Sequence, residues 1–133
     1  MAANTRFATG VHTLVILAAD QAVLQTSEEI AKKLNTNPVV IRRVLSLLQQ
    51  AGLIESQKGP SGGSRLAKPA KAIQLGEVYR ALEPNPIFHA PSGTSGKANA
   101  ALAKIFAGAQ QALEAELDST SLAQLAKKTA RLK

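Results

Sequence analysis

A mainly α-helical chain with one small β-hairpin is predicted from three observations. Apolar residues recur at helical spacing along most of the 133 residues, two of the helical runs are parted by a three-residue turn, and a glycine-tipped pair of short β-compatible runs follows at once. All three meet in residues 26 to 69, TSEEIAKKLNTNPVVIRRVLSLLQQAGLIESQKGPSGGSRLAKP. Helix, tight turn, helix and hairpin in that order describe a winged helix-turn-helix, the hairpin being the wing.

Phe7, Val11, Leu14, Val15 and Ala18 predict a first helix over about residues 8 to 20, with Thr5 or Thr9 near its start. Thr26 and Glu29 fit a capping box, in which hydroxyl and carboxylate each satisfy a backbone N–H. The short helix it opens carries Ile30, Ala31 and Leu34 on one stripe. Asn37 followed by Pro38 predicts the next start, because Asn caps well and Pro has no N–H to leave unpaired in the first turn. In that third helix Ile41, Val44, Leu45 and Leu48 face a core, which leaves Val39, Arg42, Arg43, Ser46, Gln49 and Gln50 on the opposite side. Gly52 closes it.

Leu53 to Gln57 and Ser64 to Ala67 predict the strands of the hairpin, with Lys58 to Gly63 as its loop. Ile73, Leu75, Val78, Tyr79 and Leu82 predict a fourth helix over about 75 to 83, stopped by Pro84. Residues 84 to 96 turn to Pro, Ser, Gly and Thr and predict a connector without helix or strand. Beyond it Leu102, Ile105, Phe106, Ala109, Leu113 and Leu117 form one stripe on a helix of about twenty residues, which is marginal in isolation and must find a partner surface for its stripe. Ser121 and Gln124 suit a second capping box before a short last helix, and a frayed basic tail is expected after it. The organisation is thus 1–83 as a winged helix-turn-helix domain, 84–96 as connector, and 97–133 as a long C-terminal dimerisation helix and short terminal helix.

Sixteen Lys and Arg against nine Asp and Glu give a formal net charge of +7, which favours a polyanionic partner. The absence of cysteine rules out disulfides, thiolate metal sites and cysteine-ligated iron–sulfur clusters. The longest apolar run, Val11 to Ala19, is broken by His12 and Thr13 and is far short of a membrane span, and the first ten residues lack the order of a signal peptide. A cytoplasmic protein with no membrane partner is expected.

The chemistry falls on the third helix and the hairpin. An Arg in the first two turns of a groove-reading helix can bond guanine O6 and N7 with two N–H groups or hold a phosphate, which singles out Arg42 and Arg43. Asn37, Pro38, Val39 and Ser46 share that helix start, and Lys58, Gly62, Gly63 and Arg65 form the wing set, suited to the minor groove or the backbone. Lys68 and Arg6 are further cations within reach. His12 and His89 stand alone, with no metal-ligand spacing around them. The glycine loop lacks the Lys-Ser/Thr ending of a phosphate-binding loop, and no nucleophile stands beside a base, so no enzyme, metal or cofactor is expected.

On AGLIESQKGPSGGSRLAKP at 51–69, preceded by the capped helix pair and followed by the Ile73, Leu75, Val78 pattern, the chain resembles the Rrf-type winged helix-turn-helix transcriptional regulators. The resemblance is close over 1–83 and looser beyond. It implies a recognition helix in the major groove, a wing in the minor groove, and a long helix that crosses its mate in a dimer. By position, Pro38 to Ser46 and Gly59 to Arg65 become DNA-facing, and Leu102 to Leu117 the dimer surface. Two departures are visible. Ser64 stands where the family usually has an aromatic residue, and the three connector cysteines of the cluster-binding members are missing from PNPIFHAPSGTSGKAN.

The expected protein is a cysteine-free, sequence-specific DNA-binding regulator, a homodimeric repressor of an inverted repeat in double-stranded DNA. The alternative is a winged-helix module that docks on protein and uses its charge for solubility. With no cysteine to sense a signal, regulation falls to a small-molecule effector between the two parts or to the protein's own concentration.

Overall fold

The computed structural model describes residues 3–89 and 96–131. Connector residues 90–95 and the last two residues of the basic tail lie outside the described residues. Among the described residues six helices and one antiparallel hairpin are present in the order α1 (Ala3–Ala19), α2 (Ser27–Leu34), α3 (Pro38–Gln50), β1 (Ile54–Gln57), β2 (Gly63–Leu66), a single 3-10 turn (Ala70–Ala72), α4 (Leu75–Leu82), α5 (Lys97–Asp118) and α6 (Leu122–Arg131).

α1 starts five residues earlier than the periodicity indicates, so Thr5 and Thr9 lie inside it and cap nothing. Two long-range contacts hold that extra length, an edge-on meeting of the Phe7 and Tyr79 rings 5.4 Å apart and an ion pair from Arg6 Nη2 to Glu83 Oε2 at 2.9 Å. Thr13 is fully buried in the middle of the helix and is satisfied by donating to Thr9 O at 2.8 Å. Gly10 lies so close to Leu82 that a Cβ would collide with its Cδ1, which lets α1 and α4 approach closely.

The capping chemistry of α2 and α3 forms as the sequence indicates. Glu29 N donates to Thr26 Oγ1 at 3.1 Å and Thr26 N to Glu29 Oε1 at 3.0 Å, while Val39 N donates to Asn37 Oδ1 at 2.8 Å. The bonds to Thr26 hold the Glu29 carboxyl below the usual range. The turn between the helices depends on Asn35 in the left-handed region at φ 53°, a conformation that Asn tolerates better than most residues. Ile41, Val44, Leu45 and Leu48 are buried against Ile30 and Ala31 of α2 and Leu14 and Leu17 of α1.

In the hairpin Ile54 pairs with Leu66 and Glu55 with Arg65, so alternate residues Ser64 and Leu66 point inward and Arg65 outward. A third segment joins it. Gln25 N donates to Ser64 O at 3.0 Å and Ser64 N to Gln25 O at 2.8 Å, which ties the wing to the residue just before α2.

α6 packs back on α1 rather than extending from α5. Leu122 is fully buried in the same core as Leu14, Ile73, Val78 and Leu82, and its N–H donates to Ile73 O at 2.7 Å. Ser121 and Gln124 form the second capping box, at 2.8 and 3.2 Å, and the tail stays helical to Arg131 rather than fraying after Ala126. α5 is clasped to α4 by Arg80, whose guanidinium bonds Glu114 at 3.1 Å and Asp118 at 2.9 Å.

Truncating Leu122 to Ala removes buried methyl groups where α1, α4 and α6 meet. A loss of about 2–5 kcal/mol of unfolding free energy is expected, read as a lower urea midpoint at an unchanged slope. A second expectation concerns acid. Bonds from Gln110 and Arg80 hold the Glu114 carboxyl below the usual carboxylate range. For Glu77 burial pushes upward, but Lys68 and the Gln74 N–H outweigh it and the net shift is down. A depressed carboxylate contributes stability that is complete above its unfolded pKa and is lost as pH falls through the lower folded value. Melting temperature should therefore drop below about pH 4, and Glu114→Gln should make that drop shallower.

Candidate nucleic-acid interface

The outward face of α3 and the wing border one groove. It holds about 340 Å³ and is lined by Thr26, Ser27 and Glu28 of the α2 start, Arg42, Ser46 and Gln49 of α3, and Ser56, Gln57, Gly59, Gly62 and Gly63 of the hairpin. The α3 spacing makes this face: once Ile41, Val44, Leu45 and Leu48 turn inward, residues 42, 43, 46 and 49 must point out.

Asn37 is exposed and committed to its capping bond, Pro38 is half-buried, and Val39 is 55% exposed, an unusual place for a valine. Arg42, Arg43 and Ser46 are all exposed. Arg43 makes no ion pair among the described residues, whereas Arg42 Nη2 donates to Glu28 Oε1 at 2.8 Å. That bond holds the Glu28 carboxyl below the usual range.

On the wing Lys58 is exposed, and Arg65 is paired with Glu55 across the hairpin at 2.6 Å. Gly62 and Gly63 serve the fold directly. A Cβ on Gly62 would collide with Gln57 O, and one on Gly63, at φ 152°, would lie 2.8–2.9 Å from the Gln25 backbone. Ser64, in the position of the missing aromatic residue, is buried, and its hydroxyl lies 2.9 Å from the Ser56 hydroxyl.

The two further cations within reach are engaged elsewhere. Lys68 bonds Glu77 of α4 at 2.9 Å, and Arg6 bonds Glu83. Gln25, which no motif singled out, proves central to the groove wall. It is buried, with its backbone bonded to Ser64, its side chain donating to Ile16 O at 3.3 Å and accepting from Lys33 Nζ at 2.8 Å. A glutamine in a loop carries no periodic signal, so its role depends on a strand 39 residues away.

The α5 stripe divides. Leu113 and Leu117 are half-buried on the side clasped to α4, and Phe106 is half-buried with its ring 5.2 Å from that of Phe88. Leu102 is 37% and Ile105 65% exposed, and Ala109 is exposed too. Between connector and helix, Pro86, Phe88, His89, Ala103, Phe106 and Gln110 line a second cleft of about 440 Å³. Gln110 holds its floor, accepting from Ile87 N at 3.1 Å and donating to Tyr79 Oη at 3.1 Å.

The family model Rrf2, described as an iron-dependent transcriptional regulator, matches residues 3–128. YwnA of Bacillus subtilis strain 168, assigned by name to the helix-turn-helix transcriptional regulators, is 40% identical over 130 residues, covering 90% of this chain and 92% of YwnA. Among solved structures, CymR, the global cysteine regulator of B. subtilis, is 26% identical with a TM-score of 0.73, covering 93% of this chain and 95% of CymR. CymR of Staphylococcus aureus is 28% identical with a TM-score of 0.68, over 92% and 95% of the two chains. The family description names iron, but this chain has no cysteine, and among the described residues no three His, Asp or Glu side chains converge. Its donor set does not fit a cysteine-ligated cluster. No helix among the described residues is long and apolar enough to cross a membrane. With the groove formed between α3 and the wing, and the match running through nearly the whole sequence, the chain belongs to the Rrf2 family of DNA-binding transcriptional regulators.

Proposed function

We propose that the protein is a homodimeric, sequence-specific repressor that binds an inverted repeat in double-stranded DNA without an iron–sulfur cluster. The observation that carries this reading is the groove between α3 and the wing, lined by Arg42 and by the hydrogen-bonding side chains of Ser46, Gln49 and Gln57, with exposed Arg43 on the same helix and exposed Lys58 on the wing. In a major groove Arg43 and Arg42 read base edges, Val39 meets a thymine methyl, and Lys58 and Arg65 hold the backbone or minor groove beside it. Asn37 and Pro38 set the angle at which the helix enters, and Gly62 and Gly63 keep the wing close.

The dimer rests on α5. Twenty-two residues long, it counts no fully buried residue among the described residues, and Leu102, Ile105 and Ala109 offer an apolar row to water. A second copy of the same row would cover it in a two-fold arrangement, the symmetry that an inverted repeat mirrors. Phe106, Leu113 and Leu117 flank that row and brace the helix from behind. The second cleft, beneath Phe88 and Phe106, is the place for a small-molecule effector in this reading, because it joins connector and long helix.

Binding to duplexes selected by the protein from a random pool should yield a palindromic motif with half-sites about one helical turn apart, and affinity should fall steeply as salt rises. Arg43→Ala should cost about 1–3 kcal/mol of binding to the selected duplex for one lost base contact. Affinity that is flat in salt would favour a protein-docking module instead. Ile105→Glu should convert the dimer to monomer in sedimentation equilibrium with the melting temperature little changed, and a dimer that persists would remove α5 from the interface.

A further inference from the structure

Arg42 and Arg43 are neighbours on one exposed face, yet only Arg42 is already bonded to a carboxylate. The partner, Glu28, stands in the first turn of α2 at the mouth of the groove and is the one carboxylate among the described residues lining it. It is also held in place, because Ser27 Oγ donates to its other oxygen at 3.2 Å while Oε1 receives Arg42. Both side chains of the pair are more than half exposed, so the bond adds little to stability. Its effect falls on what the guanidinium can hold.

A guanidinium has five N–H donors in one plane, and a bond from Nη2 to Glu28 leaves another edge free. Guanine offers that edge two neutral acceptors, O6 and N7, which the carboxylate does not repel. A phosphate brings a second negative charge beside Glu28, and like charges at such separations repel strongly. DNA backbone must therefore displace Glu28 to reach Arg42, whereas a base need not. Arg43 and Lys58 make no ion pair among the described residues and carry no such bias against phosphate.

We infer that Glu28 is a positioning residue for sequence specificity, turning Arg42 toward neutral base acceptors, guanine above all, and away from backbone phosphate. This rests on the DNA-binding reading above and refines it at one residue. The lowered pKa of Glu28 keeps the carboxylate charged through the physiological range, as the arrangement requires.

The test compares the full chain with its Glu28→Gln, Glu29→Gln, Arg42→Ala and Glu28→Gln/Arg42→Ala variants. Fluorescence anisotropy at several salt concentrations would follow binding to a duplex selected from a random pool and to poly(dA-dT), which lacks the guanine O6 and N7 pair. Glu29 supplies the control, since it makes the same charge change one residue away while bonding only the cap. Glu28→Gln should tighten poly(dA-dT) binding several-fold, steepen its salt slope by about 0.9, and lower the ratio of selected to unselected affinity roughly tenfold. Arg42→Ala should weaken the selected duplex and leave the poly(dA-dT) slope unchanged, and the double variant should match it. If Glu29→Gln reproduces Glu28→Gln, the effect is general charge and the inference fails. If Arg42→Ala lowers both affinities alike and flattens both slopes, Arg42 is a phosphate clamp and the inference fails. Wild-type protein that binds neither duplex would overturn the DNA-binding reading itself, and the inference with it.

Discussion

The paired backbone bonds between Gln25 and Ser64 are the constraint on which the groove between α3 and the wing depends. A two-stranded hairpin is marginal on its own in water, and β1 and β2 are four residues each. Gln25 supplies a third extended segment at the edge of β2. Because the next residue caps α2, the wing and the helix pair are fixed to each other through one buried position. Gly63 has no room for a side chain for this reason, and Lys33, otherwise a solvent cation, is bonded to the Gln25 side chain.

Helical elements were legible in the sequence wherever a cap and a stripe agreed. Thr26 with Glu29, Asn37 with Pro38, and Ser121 with Gln124 each mark a true helix start, because the chemistry of a cap is local and needs only three or four residues to be read. The start of α1 was not legible. It is held by Phe7 against Tyr79 and Arg6 against Glu83, contacts more than seventy residues apart that no window of sequence contains. The place of α6 was hidden for the same reason, since its stripe shows that it needs a surface but not which one.

The candidate interface was legible in its residue types and less so in their state. Periodicity puts Arg42 and Arg43 on one face, and they are there. It cannot show that one of them is bonded to α2, that Arg65 is bonded to Glu55, or that Lys68 belongs to α4. Counting cations along the wing therefore overstates the charge free to meet a polyanion. Six ion pairs among the described residues engage five of the cations and serve other ends, joining α1 to α4, the wing to itself and α4 to α5. Beside the groove, Arg43 and Lys58 are exposed and make no ion pair among the described residues.

The burial of Leu122 beside Leu14 sets the order in which this chain can become native during synthesis. Every element of the helix-turn-helix and wing has been made by residue 69, but the core beneath them stays open on one side until residue 122 has emerged and folded back. Contacts so distant in sequence form late in folding. A nascent chain that stops in the connector would present the complete groove on an unsealed body, with apolar α1 surface exposed to whatever else the cell offers it. The long helix between is thus also a spacer in time, delaying a sealed core until the last helix is in place.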